Sequence, residues 1–495
     1  MKRLSPFIIV AVLAAANLPA LAEQPATETH YAAVLINGKK AGHSVFTRRR
    51  EDKQITTTEK MTMAINRGGM TLDIVQETTY VETPEGRPLA FRSVREMGAG
   101  KSMQNQSVNG VVKPDGTLEI ELTVAGRPTT RKLPWPEGAL MPYGLELLAK
   151  EKGLEPGTTY AASMFDADTL SALDMQVKIG EVKQIDVFET QRTVVETRQR
   201  LSVPMATITT TAYIDPETHQ PVKAIVPMGG MTVEIITCDK AFALSEAEEL
   251  GDLISAFAVA TPGPIDPAAE SLTYVLTPKT PKAELHIPQT DQQSVKTDGE
   301  TVAVAVTSRN WPTGGSLPYS GDDAQIKAYL KPSTYVQSED PDIQALAREA
   351  VGDAKTPAEA ARNIEAFVNG YIETKDFGVA YASASEVLKS RRGDCSEHAV
   401  LTAALCRAVG IPTQVLAGAV YTERWQQHEH VLMPHAWNQV YIDGQWVPLD
   451  AAFANIRPPG ADRIVLALGD GEMADFLSLV ASLGNFRITE VKAAD

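Results

Sequence analysis

The stretch that most constrains this chain is Ala399–Val409, an almost wholly apolar run whose only charge is Arg407. It is entered through Gly393-Asp394-Cys395-Ser396-Glu397-His398 and left through Gly410-Ile411-Pro412. Asp394 with Glu397 three residues on is a capping box, which starts a helix at Cys395, and Gly410 closes it. A helix apolar on nearly every side belongs in the centre of a domain, so its first turn holds Cys395 at a fixed point. Amide donors at a helix N-terminus and a nearby histidinium can lower a cysteine pKa from ~8.5 to well below neutrality. Asp394 and Glu397 push the other way, so activation of Cys395 has to come mainly from a histidine elsewhere in the chain.

His435 opens an extended segment, His435-Ala436-Trp437-Asn438-Gln439-Val440-Tyr441-Ile442, which turns at Asp443-Gly444 into Gln445-Trp446-Val447-Pro448-Leu449-Asp450. Asp-Gly between two alternating runs is a hairpin signature. With a two-residue turn, Ile442 faces Gln445 and Trp437 faces Asp450. His435 then lies on the same face as Asp450, a diagonal neighbour within reach. A carboxylate behind an imidazole keeps one ring nitrogen as donor and leaves the other to take a thiol proton. Trp437 and Trp446 share that face and are expected to pack around the imidazole and keep water from it.

At this point the sequence resembles the transglutaminase-like superfamily, which shares a papain-like cysteine core. The matching motifs are GDCSEHA around Cys395, the helix ending in RAVGIP, HAW at His435 and GQWVPLD closing on Asp450, within about Tyr329 to Phe453. The resemblance implies Cys395 as nucleophile, His435 as its base and Asp450 as the group orienting the histidine. No calcium-loop motif of the kind some cross-linking relatives use is visible, and no cofactor is expected. The resemblance also implies acyl transfer from a peptide or protein substrate: to water in an amidase or peptidase, or to an amine in a cross-linker. A peptide-binding envelope protein that keeps the fold without the chemistry is the alternative from another class.

Upstream, about Tyr31 to Cys238 reads as strands punctuated by turns such as Asn37-Gly38 and Asp215-Pro216-Glu217. Thr117–Val124 is the clearest, with Leu118, Ile120, Leu122 and Val124 alternating with polar residues, the pattern of a sheet with one wet face. A helical interlude is expected around Leu140 to Lys152 and another helix from Ser245 to Phe257. Strands are expected near 272–275 and 301–307. Asp340-Pro341 and Thr356-Pro357-Ala358-Glu359 each start a helix ahead of the cysteine helix. The expected fold class is α+β: an antiparallel β-rich N-terminal region (23–243), a small β unit and linker (244–320), a transglutaminase-like core (321–460) and a C-terminal extension (461–495). That extension has amphipathic character around Met473 to Leu483.

Residues 1–22 read as a signal peptide: Lys2 and Arg3, an apolar stretch from Phe7 to Leu18, then Ala20-Leu21-Ala22 before Glu23. Cleavage after Ala22 predicts a periplasmic or secreted protein with no stable membrane insertion, the apolar stretch being short for a span. Loss of this segment takes the formal charge from −16 to −18, which argues against nucleic-acid binding.

Cys238, Cys395 and Cys406 are too few for a disulfide framework. Cys395 and Cys406 stand eleven residues apart on one helix, roughly 16 Å and beyond disulfide reach. Cys238 and Cys406 are expected as buried thiols, with a pairing between them as the alternative. No metal site is expected: His428, His430 and His435 lack a matching thiolate or carboxylate, His435 is better used by the hairpin, and the other two are expected in the loop before it. His398 is read as a packing or supporting group.

Overall fold

The computed structural model describes residues 27–100, 104–124, 126–203, 206–228, 231–279, 285–379, 381–472, 479 and 482–493. The expected signal segment with its cleavage site lies outside these residues, as does most of the amphipathic stretch at 473–483. Two compact units divide the chain: one runs to Asn66 and from Thr71 to Leu250, the other comprises Arg67–Met70 and Gly251–Asp495. The architecture is α+β, as the sequence indicates: large antiparallel sheets followed by a helix-containing core.

The first unit is built on one fifteen-stranded sheet. Strands from Thr27–Ile36 to Arg127–Pro134 follow one another outward, and a second run from Ala139–Leu140 to Met231–Cys238 returns, so that the first strand pairs with the last, Tyr31 opposite Cys238. Thr117–Val124 is a strand with Leu118, Ile120 and Leu122 buried, as its alternation requires. The two outer parts of the sheet share a core in which Phe91 meets Phe165 at 5.0 Å between ring centroids. The edge strand Arg127–Pro134 is exposed throughout and carries Arg127, Arg131, Lys132 and two prolines, which discourages pairing with another chain.

The interlude helix forms over Pro142–Lys152, with the Glu82 carboxylate accepting from the Tyr143 and Gly144 N–H groups at its start. The expected helix at 245–257 does not form; only Lys240–Ala243 and Leu253–Ala256 are helical. Lys40 accounts for the first part of the segment, up to Glu248. Its ammonium donates to the carbonyls of Phe242 and Ser245, and its backbone N–H donates to the Glu248 side chain, so Ser245 and Glu248 are satisfied outside a helix.

The second unit holds a five-stranded and a four-stranded antiparallel sheet. In the first, His428–Ile442 lies between Thr413–Trp425 and the two short strands Val259–Ala260 and Gln445–Leu449; Thr413–Trp425 also pairs with Arg463–Gly469. The second runs Gln293–Asp298, Thr301–Thr307, Ser271–Pro278, Phe486–Ala493. The chain after residue 460 thus gives one strand to each sheet. Helices Pro341–Val351, capped by Asp340, and Pro357–Tyr371, opened by the Thr356/Glu359 capping box, precede the central helix Cys395–Ala408. Every residue from Ser396 to Arg407 of that helix is buried. No helix among the described residues is long and apolar enough to cross a membrane.

Candidate active site

Cys395 is the first residue of the central helix, and the Asp394/Glu397 capping box is present. The helix is held by buried polar contacts. Asn438 Nδ2, on the strand that carries His435, donates to Ala399 O at 3.0 Å, and the buried Arg407 guanidinium donates to Thr413 O. The hairpin has the two-residue turn and the register read from the sequence, Ile442 opposite Gln445 and Asn438 opposite Leu449. Asp443 and Gly444 both have positive φ, which this turn demands and which the Asp-Gly pair tolerates. Asp450 follows directly, and His435 Nε2 meets Asp450 Oδ2 at 2.8 Å, both side chains buried. Because a carboxylate only accepts, Nε2 carries the ring proton and Nδ1 is left as the acceptor.

His435 and Cys395 line one cleft of about 310 Å³ whose wall is mainly apolar, including Phe257, Phe377, Val420, Trp425, Met433 and Phe453. Trp437 packs beside the imidazole, 5.7 Å between centroids, and is 2% exposed. Gly418 makes room for it: a Cβ there would stand 2.7 Å from Trp437 Cη2 and 2.0 Å from Ile464 O. Tyr329 and Tyr441 pack around Trp446, further along the same face of the hairpin.

Burial pushes the Cys395 thiol well above the ordinary range, and the Asp394 charge adds to this. The Arg67 charge and a hydrogen bond from the Ala436 backbone work against it, and Glu397 adds a further upward push. A thiolate at Cys395 would therefore need a further positive charge close by, the same requirement that Asp394 and Glu397 impose in the sequence. Asp450 shows the reverse balance. Burial would raise its pKa, but the His435 charge and hydrogen bond, with Arg463, hold it well below the usual carboxylate range.

Arg463 was not legible as a site residue. Its Nη1 donates to Asp450 Oδ2 at 2.6 Å, the same oxygen that His435 uses, and its Nε donates to Asp462 Oδ1 at 3.1 Å. The available signal was a charge heading an otherwise apolar strand, Arg463-Ile464-Val465-Leu466-Ala467-Leu468, since a buried arginine needs partners. Glu365 adds a second support, accepting from the Asp450 N–H at 2.7 Å.

His428 and His430 lie on the strand His428–Ile442 and not in a loop before it, because the hairpin formed by Thr413–Trp425 and His428–Ile442 turns tightly at Gln426-Gln427. His430 Nδ1 lies 2.8 Å from the Tyr421 hydroxyl. Among the described residues no cluster of His, Cys, Asp and Glu is arranged to hold a metal. The three cysteines are free thiols; Cys406 is fully buried, with its thiol pushed up to about 12 by burial, while Cys238 is only half-buried.

Residues 344–451 match the family described as the transglutaminase-like superfamily. No curated protein matches the chain. Among solved structures it is similar to the "Putative Cysteine Protease" of Cytophaga hutchinsonii, at 21% identity over 48% of this chain and 85% of that one, with a TM-score of 0.31. It is also similar to a "putative protease" of Parabacteroides distasonis, at 13% identity over 75% of this chain and 67% of that one, with a TM-score of 0.22. Neither superposition is close enough to bear on the fold, which rests on the matched family and on the elements described above. The segment that contains Cys395, His435 and Asp450 is thus a transglutaminase-like domain, and a β-rich region precedes it in the chain.

Proposed function

We propose that the chain is an exported cysteine hydrolase that cleaves peptide or amide bonds through an acyl-enzyme on Cys395. The observation that carries this reading is the 2.8 Å contact between His435 Nε2 and Asp450 Oδ2 in a cleft that Cys395 also lines. Asp450 fixes the tautomer, so Nδ1 is the atom that takes the thiol proton. The sulphur then attacks the substrate carbonyl carbon, with the Cys395 backbone N–H as one donor to the developing oxyanion. The imidazolium passes its proton to the leaving amine, and a thioester remains on Cys395. Water, activated by His435, completes the cycle and restores the thiol.

Export is supported by the pattern of residues 1–22, which is that of a secretory signal, and the proposed site of action is the periplasm or the cell exterior. Water is the favoured acceptor because it is present far in excess of any amine. The test is to incubate the protein with an unfolded protein substrate and a fluorescent primary amine, following new amino termini and amine incorporation together. Release of termini, abolished in Cys395→Ala, is the expected result. Amine incorporation that outpaces it would replace the hydrolase with a cross-linker, and neither activity would leave a peptide-binding domain.

A further inference from the structure

His398 lies three residues after Cys395 on the same helix, hence on the same face, and it lines the same cleft. The residue is 2% exposed. Nδ1 stands 2.6 Å from the Asp394 carbonyl oxygen. A carbonyl only accepts, so Nδ1 carries the proton and Nε2 presents a lone pair. Burial disfavours a second proton on this ring, and the Lys375 charge adds to that against the opposing pull of Asp394 and Asp450. Nε2 is buried, and no atom of the described residues donates to it. Buried acceptors are ordinarily satisfied. Next to Cys395, in a cleft otherwise walled largely by apolar side chains, the group that would satisfy this one is a donor brought by the substrate.

We propose that His398 is a substrate-binding residue whose Nε2 accepts a hydrogen bond from an amide or amine N–H on the group held at Cys395. The proposal rests on the reading of Cys395 as the nucleophile and narrows its substrates to those with an N–H close to the reacting centre. Esters, or amides with fully alkylated nitrogen, leave the acceptor unpaired and are disfavoured.

The test compares alkylation of Cys395 by iodoacetamide, which carries two N–H groups, and by 2-iodo-N,N-dimethylacetamide, which carries none. The ratio of their rates, divided by the same ratio for free cysteine, is measured in the wild type, His398→Phe and His398→Gln. The wild type is expected to favour iodoacetamide by ~10-fold, the scale of one hydrogen bond. His398→Phe loses that preference, and His398→Gln recovers much of it, because a glutamine carbonyl reaches the Nε2 position. A ratio unchanged between wild type and His398→Phe, with Cys395 still labelling fast, overturns the role of His398 alone. Slow labelling of wild-type Cys395 by both reagents counts instead against the nucleophile reading on which the proposal depends. If His398→Phe does not fold, the wild type still decides by ¹⁵N NMR. The His398 ring should be protonated at Nδ1, and its Nε2 signal should shift on carboxamidomethylation of Cys395 but not on the dimethyl reaction. An Nε2-protonated ring would refute the assignment.

Discussion

Replacing Asp450 by asparagine removes one charge from a carboxylate oxygen shared by His435 at 2.8 Å and Arg463 at 2.6 Å. Two losses follow, and they can be separated. The first is stability: Arg463 is buried, and removing one partner of a buried ion pair costs ~3–5 kcal/mol. The asparagine side chain would keep one acceptor, and Asp462 still holds Arg463 Nε, so the low end, ~3 kcal/mol, is expected. For a unit of this size that lowers the melting temperature by ~6–12 °C. The second is chemistry: the imidazole loses the group that fixes its tautomer, and turnover should fall by ~10⁴-fold, the scale found when a triad aspartate becomes asparagine. The double variant Asp450→Asn/Arg463→Leu removes the stranded cation, while Asp462 remains paired with Arg457 at 2.7 Å. It should recover more than half of the lost stability and none of the lost activity. Thermal unfolding and Cys395 labelling at pH 7 on the wild type, both single variants and the double variant complete the cycle. A double variant less stable than the sum of the two single changes, or an Asp450→Asn protein that labels like the wild type, would refute the shared-carboxylate account.

Other outcomes follow from the same geometry. Gly418→Ala would drive a Cβ into Ile464 O and the Trp437 ring, so it should cost ~1–3 kcal/mol and slow Cys395 labelling through the displaced His435 neighbour, both read by denaturant unfolding and alkylation. Stability should fall as pH rises from ~4.3 toward 8, because burial raises Glu82 to about 7 and burial with the Asp394 charge raises Glu397 to about 8. In that window the folded chain binds more protons than the unfolded one, which makes the slope of stability with pH negative. Asp450 acts in the opposite direction only below ~3.9, where its stabilisation is lost as pH falls. Melting temperatures between pH 3 and 9 check both, and a steady rise toward pH 9 would contradict the buried acids.

How much of this was legible in the sequence varies with how local the information is. The cysteine helix could be read to the residue, since its start depends on Asp394 and Glu397 and its burial on composition alone. The meeting of His435 and Asp450 could be read because Asp443-Gly444 fixes the hairpin parity and the two residues stand only 15 positions apart. What the sequence hid is set by distant partners. Arg463 looks like an ordinary strand-end charge until Asp450 and Asp462 close on it. The start of the segment at 245–257 has a helical pattern, but Ser245 and Glu248 are held by Lys40, about two hundred residues earlier. The pairing of Thr27–Ile36 with Met231–Cys238 likewise has no local signal, because each strand could pair with any neighbour of matching alternation.

On the proposed mechanism, Cys395 becomes a nucleophile only through His435. Iodoacetamide labelling of Cys395, mapped by peptide mass spectrometry from pH 4 to 10 in the wild type and in His435→Ala, tests it most directly. The wild type should label selectively at and below neutral pH. In His435→Ala, burial, Asp394 and Glu397 act on the thiol unopposed by an imidazolium, so labelling should appear only at pH above that of an ordinary cysteine. Identical profiles in the two proteins would contradict the account.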